Sequence, residues 1–138
     1  MWNYPDILVL SSSEAIRNNL AEALRLSGMS PVPCGSLTES HAILDQAPIS
    51  AIFCDDCLCD GTYRDLVDIV HSEFPHIPIV VVSPFGDWNK YLKALDIGAF
   101  DYVGIPFRQG DIERVLQSAL VEHLQRKLAS ETEKATQA

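Results

Sequence analysis

Short apolar runs alternate along this chain with longer stretches in which apolar residues return every three or four positions. Ile7–Leu10, Ala51–Cys54 and Ile79–Val82 are unbroken apolar runs. Runs of that length bounded by polar residues read as strands buried on both faces. The third is four β-branched residues in a row, which predicts an interior strand. Ser30–Cys34 is a weaker strand, broken by Pro31 and Pro33. Proline cannot donate to a ladder, so this strand belongs at a sheet edge. A fifth strand is expected over Phe100–Gly104.

The helical stretches fall between these runs. Ile16, Leu20, Ala23 and Leu24 share one face of a helix from Glu14 to about Ser27, capped by Ser13 and ended by Gly28. A short helix over Leu37–Gln46 turns Leu37, His41 and either Ile43 or Leu44 to the sheet, and Pro48 follows it. Here His41 reads as a partly buried spacer rather than a ligand. The third helix, Gly61 to about Phe74, carries Tyr63, Leu66, Val67 and Val70. Asp87 caps a fourth with an apolar stripe of Trp88, Tyr91, Leu92 and Leu95, ended by Gly98. The fifth runs from Gln109 to about Leu128 on Ile112, Val115, Leu116, Ala119, Leu120 and Leu124. The tail 129–138 is polar and is expected to fray. The order is β-α five times over: an α/β, doubly wound (βα)5 chain with a parallel sheet covered on both faces.

Composition narrows the function classes. The chain has 138 residues, enough for one domain with a real core, and is 47% hydrophobic and 21% charged, so it is globular. A formal net charge of −9 makes duplex DNA and anionic membranes poor partners. No apolar stretch approaches membrane-spanning length, and Met1–Asp6 shows no signal-peptide pattern, so a cytoplasmic protein is expected. Neither a dinucleotide nor a P-loop glycine motif is present. The cysteines are Cys34, Cys54, Cys57 and Cys59. A C-x-C with no second pair is a weak metal signal, and no metal site is assigned. A thiol-based enzyme or sensor using Cys57 and Cys59 is a distant alternative, since no histidine stands nearby in sequence to act as base.

The stretch Ala51-Ile52-Phe53-Cys54-Asp55-Asp56-Cys57-Leu58-Cys59-Asp60-Gly61 organises the rest. A strand ending in a carboxylate sets it at the carboxyl edge of the sheet, where open α/β sheets carry their chemistry. From Asp6 to about Leu128 the chain resembles the receiver domain of two-component response regulators, the CheY-like fold. The likeness rests on Asp55 ending strand three, Leu58 three residues later, Asp60-Gly61 before helix three and Ser83 ending strand four. Gly98-Ala99-Phe100-Asp101-Tyr102 and Pro106-Phe107 add to it. It implies a flavodoxin-like sandwich of sheet order 2-1-3-4-5, with Asp55 as phosphoacceptor, Ser83 as the hydroxyl that ends its strand and Tyr102 as the switch aromatic. A receiver-like domain is expected over 1–128. The helix-five pattern runs on through Leu124 and Leu128, past where the sheet should end, which points either to a linker into an output domain, begun in the tail 129–138, or to a dimerising extension.

The departures concern chemistry. The family's acidic, magnesium-holding pair is replaced by Ser11 and Ser12, and its lysine before Pro-Phe is Ile105. The loop after Asp55 is also shorter than the family's and lacks its proline. Phosphoryl transfer needs the charge on the transferred oxygens neutralised, and magnesium needs hard oxygen ligands. Asp56 is the remaining carboxylate nearby, and by the resemblance it points elsewhere. The expectation is an atypical, non-enzymatic signalling module acting by protein–protein contact, with phosphorylation at Asp55 impaired or absent and magnesium weak if bound at all. The alternative is a working phosphoacceptor of a phosphorelay, phosphorylated at Asp55 by a histidine kinase. Isoleucine near Asp55 raises the carboxyl by desolvation, whereas loss of the acidic pair lowers it; the sequence leaves that balance open.

The resemblance places protein partners, a histidine kinase or an output domain, on the face of helix four, strand five and helix five, and a homodimer through the same face. Here that face offers Trp88, Lys90, Tyr91, Lys93, Asp101, Tyr102, Arg114 and Glu122, with Arg114 and Asp101 as an expected charge pair within or between subunits. Packing of helix four on the sheet is the plainer reading of Trp88 and Tyr91. Trp2 and Tyr4 at the chain start either pack on the bottom of the sheet or meet a partner.

Overall fold

A computed structural model of the chain describes residues 4–84 and 86–137, which leaves Trp2 and Phe85 outside the described residues. Five parallel strands form one sheet: β1 (Asp6–Leu10), β2 (Ser30–Cys34), β3 (Ile49–Asp55), β4 (Ile79–Pro84) and β5 (Asp101–Ile105). Their spatial order is β2-β1-β3-β4-β5, the expected 2-1-3-4-5, with the proline-broken β2 at one edge. The helices are α1 (Glu14–Leu26), α2 (Leu37–Gln46), α3 (Tyr63–Glu73), α4 (Trp88–Ile97) and α5 (Gln109–Gln137).

Period-two alternation splits the core into two layers. Ile7, Val9, Ala51, Phe53, Val80 and Val82 meet Leu20 and Leu24 of α1 and Ile112, Val115 and Leu116 of α5. Leu8, Leu10, Ile52, Cys54 and Ile79 meet Leu37 and Leu44 of α2 and Leu66, Val67 and Val70 of α3. Helix boundaries follow capping chemistry. Ser13, Ser36, Thr62 and Asp87 each accept a backbone N–H at a helix start, and Thr62 and Asp65 form a reciprocal capping box. Gly28 and Gly98 close α1 and α4 at φ +81° and +126°, where a side chain would be strained.

Three expectations change. Between β3 and α3 the chain forms a small antiparallel hairpin, Cys57–Leu58 against Gly61–Thr62, so α3 starts at Tyr63 rather than Gly61. Trp88 and Leu92 of the α4 stripe do not pack on the sheet. Ala94 is the helix's buried residue, whereas Trp88 is 69% and Leu92 46% exposed. The polar tail is not frayed: α5 continues to Gln137, since 129–137 contains neither glycine nor proline and is rich in good helix formers. Its outer half runs past the sheet, as the pattern through Leu124 and Leu128 leads one to expect, and leaves Val121, Leu124 and Leu128 exposed. Tyr4 is exposed as well. No helix among the described residues is long and apolar enough to cross a membrane.

Candidate functional site

The carboxyl ends of β1, β3 and β4 bring Ser11, Asp55 and Ser83 to one edge of the sheet, all three buried. The Ser11 hydroxyl donates to Asp55 Oδ2 at 2.9 Å and accepts the Ser13 N–H at 3.1 Å. Arg17, one turn into α1, donates to the Ser11 carbonyl at 2.7 Å and so holds the β1–α1 turn from outside. Sequence reasoning passed over Arg17; a cation one turn after the helix cap was the available signal.

Ser12 does not join this group. It faces outward, donates to the Gly35 carbonyl at 3.1 Å and accepts the Cys59 N–H at 2.8 Å. It ties the loop after Asp55 to the end of β2. Asp60 completes the tie: its carboxylate accepts the Leu37 and Thr38 N–H groups at 2.9 and 3.2 Å, and the first of these leads in holding its carboxyl below the ordinary value. Sequence reading treated Asp60 only as part of a loop motif.

Ser83 engages Asp56 rather than Asp55, donating to Oδ2 at 2.6 Å. The Asp56 N–H is spent on the Val82 carbonyl at 3.2 Å, so this residue is fixed between β3 and β4. Burial pushes the Asp55 carboxyl above its ordinary value; the Ser11 hydrogen bond lowers it, and the neighbouring Asp56 raises it further. The balance that sequence left open therefore falls on the raised side. Ile105 ends β5 and packs into the core layer under α1 and α5, beside Ala23, Leu26 and Phe107.

These donors do not fit a magnesium site of the kind the resemblance implies. Of the two serine hydroxyls one is committed to Asp55 and the other faces away, while Asp56 is held by Ser83. One group among the described residues stands close enough to hold a metal ion: His41, Asp45 and Glu73, with ligand atoms within 4.8 Å of one another. It lies between α2 and α3 rather than at Asp55, and His41 already meets Glu73 at 2.9 Å.

Tyr102 links the site to the α4 face. Its ring meets Tyr91 edge-on at 6.3 Å, and Tyr91 stacks on Trp88 at 5.3 Å. Arg114 lies 3.7 Å from Asp111 one turn away, so its ion pair within the chain is with Asp111; both line one cleft with Asp101, Tyr91 and Tyr102. Cys57 and Cys59 are exposed free thiols, whereas Cys34 and Cys54 are buried, and burial pushes the Cys34 thiol up to about 12.

No protein-family model matches the chain. A response regulator described as NtrX-like from Rickettsia typhi is 30% identical over 117 residues, which is 83% of this chain and 24% of that protein. The chain thus spans about a quarter of the length of the first curated relatives it matches. The crystal structure of the receiver domain of NtrX from Brucella abortus is 29% identical, covers 83% of this chain and 98% of its own, and superposes with a TM-score of 0.73. A longer NtrX structure from the same organism, crystallised with ADP, is 26% identical at a TM-score of 0.82 over 99% of this chain and 30% of its own. The chain has the CheY-like receiver-domain fold and closely matches NtrX-like and other response-regulator receiver domains. Domains of this kind are signalling modules of two-component systems and are not classed as enzymes.

Proposed function

We propose that this chain, a receiver-type signalling module by fold and by likeness, acts through protein contacts with its phosphoacceptor chemistry impaired at Asp55. The observation that carries this reading is the buried Ser11 hydroxyl on Asp55 Oδ2. A carboxylate that attacks a phosphoryl group needs positive charge nearby to neutralise the transferred oxygens. Beside Asp55 stand a neutral hydroxyl and a second carboxylate, and the family's lysine position is Ile105, which brings no cation. Burial that raises the Asp55 carboxyl also lowers the share of the nucleophilic, ionised form.

A second reading is a working phosphoacceptor, phosphorylated at Asp55 by a histidine kinase. The likeness to proteins described as response regulators supports it better than it supports an impaired site. Intact mass after incubation with acetyl phosphate and magnesium separates the two, with Asp55→Asn and a working receiver alongside. The impaired reading expects no added phosphoryl mass on the folded chain. A gain abolished in Asp55→Asn would overturn it in favour of the second.

The contact surface belongs on α4, β5 and α5. Trp88 and Leu92 are exposed there, and Val121, Leu124 and Leu128 continue an apolar line along the outer part of α5. A second copy of this chain is the occupant to test first, by sedimentation of the natural chain against Leu124→Ser/Leu128→Ser.

A further inference from the structure

Beside the Asp55 edge lies a cavity of about 210 Å³ that the phosphoacceptor chemistry does not use. It sits between the starts of α3 and α4, behind the small hairpin. The chain carries ten lysines and arginines against nineteen acids, yet three of those ten, Arg64, Lys90 and Lys93, line this one cavity. Asp56 is the acidic residue of the lining, and its carboxylate already accepts the Ser83 hydroxyl at 2.6 Å. In a chain of net charge −9, this lining carries three cations to one carboxylate.

The walls add a second kind of chemistry. Tyr63 and Tyr102 bring two aromatic rings, so the cavity offers planar apolar surface beside its cations. The Tyr102 hydroxyl is buried and has no hydrogen-bond partner among the described residues. Buried hydroxyls are almost always satisfied. Gly86 lies against it so closely that a side chain there would meet the hydroxyl at 2.8 Å. Burial also keeps the Tyr63 hydroxyl above its ordinary pKa, so it stays a neutral donor. Cys57, an exposed thiol, closes the cavity on the hairpin side.

We propose that this cavity is a binding site for a small aromatic anion, held by Arg64, Lys90 and Lys93 with its ring against Tyr63 and Tyr102. Such a ligand would bridge α4 to the hairpin beside Asp55. It would give the module an input other than phosphoryl transfer, and the site stands whether or not Asp55 accepts a phosphoryl group.

The test is a fluorescence titration of the full chain with anilinonaphthalene sulfonate, an aromatic sulfonate, together with iodoacetamide alkylation of Cys57 and Cys59 followed by peptide mass. Expected are saturable one-to-one binding and slower labelling of Cys57 with the Cys59 rate unchanged. Reversing two charges in Lys90→Glu/Lys93→Glu should weaken binding by about tenfold or more. Both lysines are exposed, so the variant keeps the unfolding midpoint of the natural chain. Absence of saturable binding, an affinity unchanged in the double variant, or an unprotected Cys57 would each overturn the proposal.

Discussion

Ser11 gives its hydroxyl hydrogen to Asp55 Oδ2 across 2.9 Å, and both residues are buried. The serine thereby partly compensates a carboxylate that burial disfavours. Ser11→Ala removes that donor and leaves the group short of a partner. The expected cost is about 1–3 kcal/mol at neutral pH, read from urea unfolding. An unchanged midpoint would mean that the carboxylate finds another donor.

Asp55 also sets a pH dependence. Its folded carboxyl titrates above the ordinary 3.8, because burial and Asp56 oppose ionisation. In the window from 3.8 up to the folded value the folded chain holds more protons than the unfolded one. Stability from this group is therefore lost as pH rises through that window. Asp55→Asn keeps an acceptor for Ser11 and cannot ionise. Its stability relative to the natural chain should climb through the window and level off above the folded value. Parallel curves for the two proteins at every pH would contradict the assignment.

Asp60 has the opposite sign. Its folded carboxyl lies below the ordinary value, led by the Leu37 N–H bond. It contributes stability above about pH 4 that is lost as pH falls through the folded value. Asp60→Ala should lower Tm at neutral pH, and thermal melts of the two proteins should converge on acidification.

The thiols divide two and two. Cys57 and Cys59 are exposed; Cys34 and Cys54 are buried, with their thiols pushed up by desolvation. A disulfide reagent should titrate two thiols in the native protein and four in denaturant. Four fast thiols in the native protein would contradict the burial.

Among the described residues, Phe53 and Trp88 mark the two extremes of aromatic packing. Phe53 is fully buried, and Phe53→Ala should cost about 3–5 kcal/mol by denaturant unfolding. Trp88 is 69% exposed and stacks on Tyr91, so Trp88→Ala should cost no more than about 0.5–1.5 kcal/mol. A larger loss would mean that α4 depends on Trp88 to stay in place.

The sequence by itself determined the five strands, their helices and the edge place of β2. Unbroken apolar runs, capping residues and prolines are local signals, and each acts on the backbone near it. The position of Asp55 at a strand end was legible for the same reason. What lies past the strand ends was not, because there a side chain's direction depends on which other chain segment it meets. Ser11 and Ser12 read alike in sequence, yet one turns inward to Asp55 and the other outward to Gly35 and Cys59. Ser83 reads in sequence only as the hydroxyl that ends its strand, and that it spends its hydrogen on Asp56 is a tertiary fact. Trp88 and Tyr91 had helical spacing suited to a core, but the short side chain of Ala94 seats α4 on the sheet and leaves Trp88 outside. Only the tertiary structure gathered Arg64, Lys90 and Lys93, from two helices, around one cavity. Charge alone does not say where a long side chain ends; the packing of α3, α4 and the hairpin does.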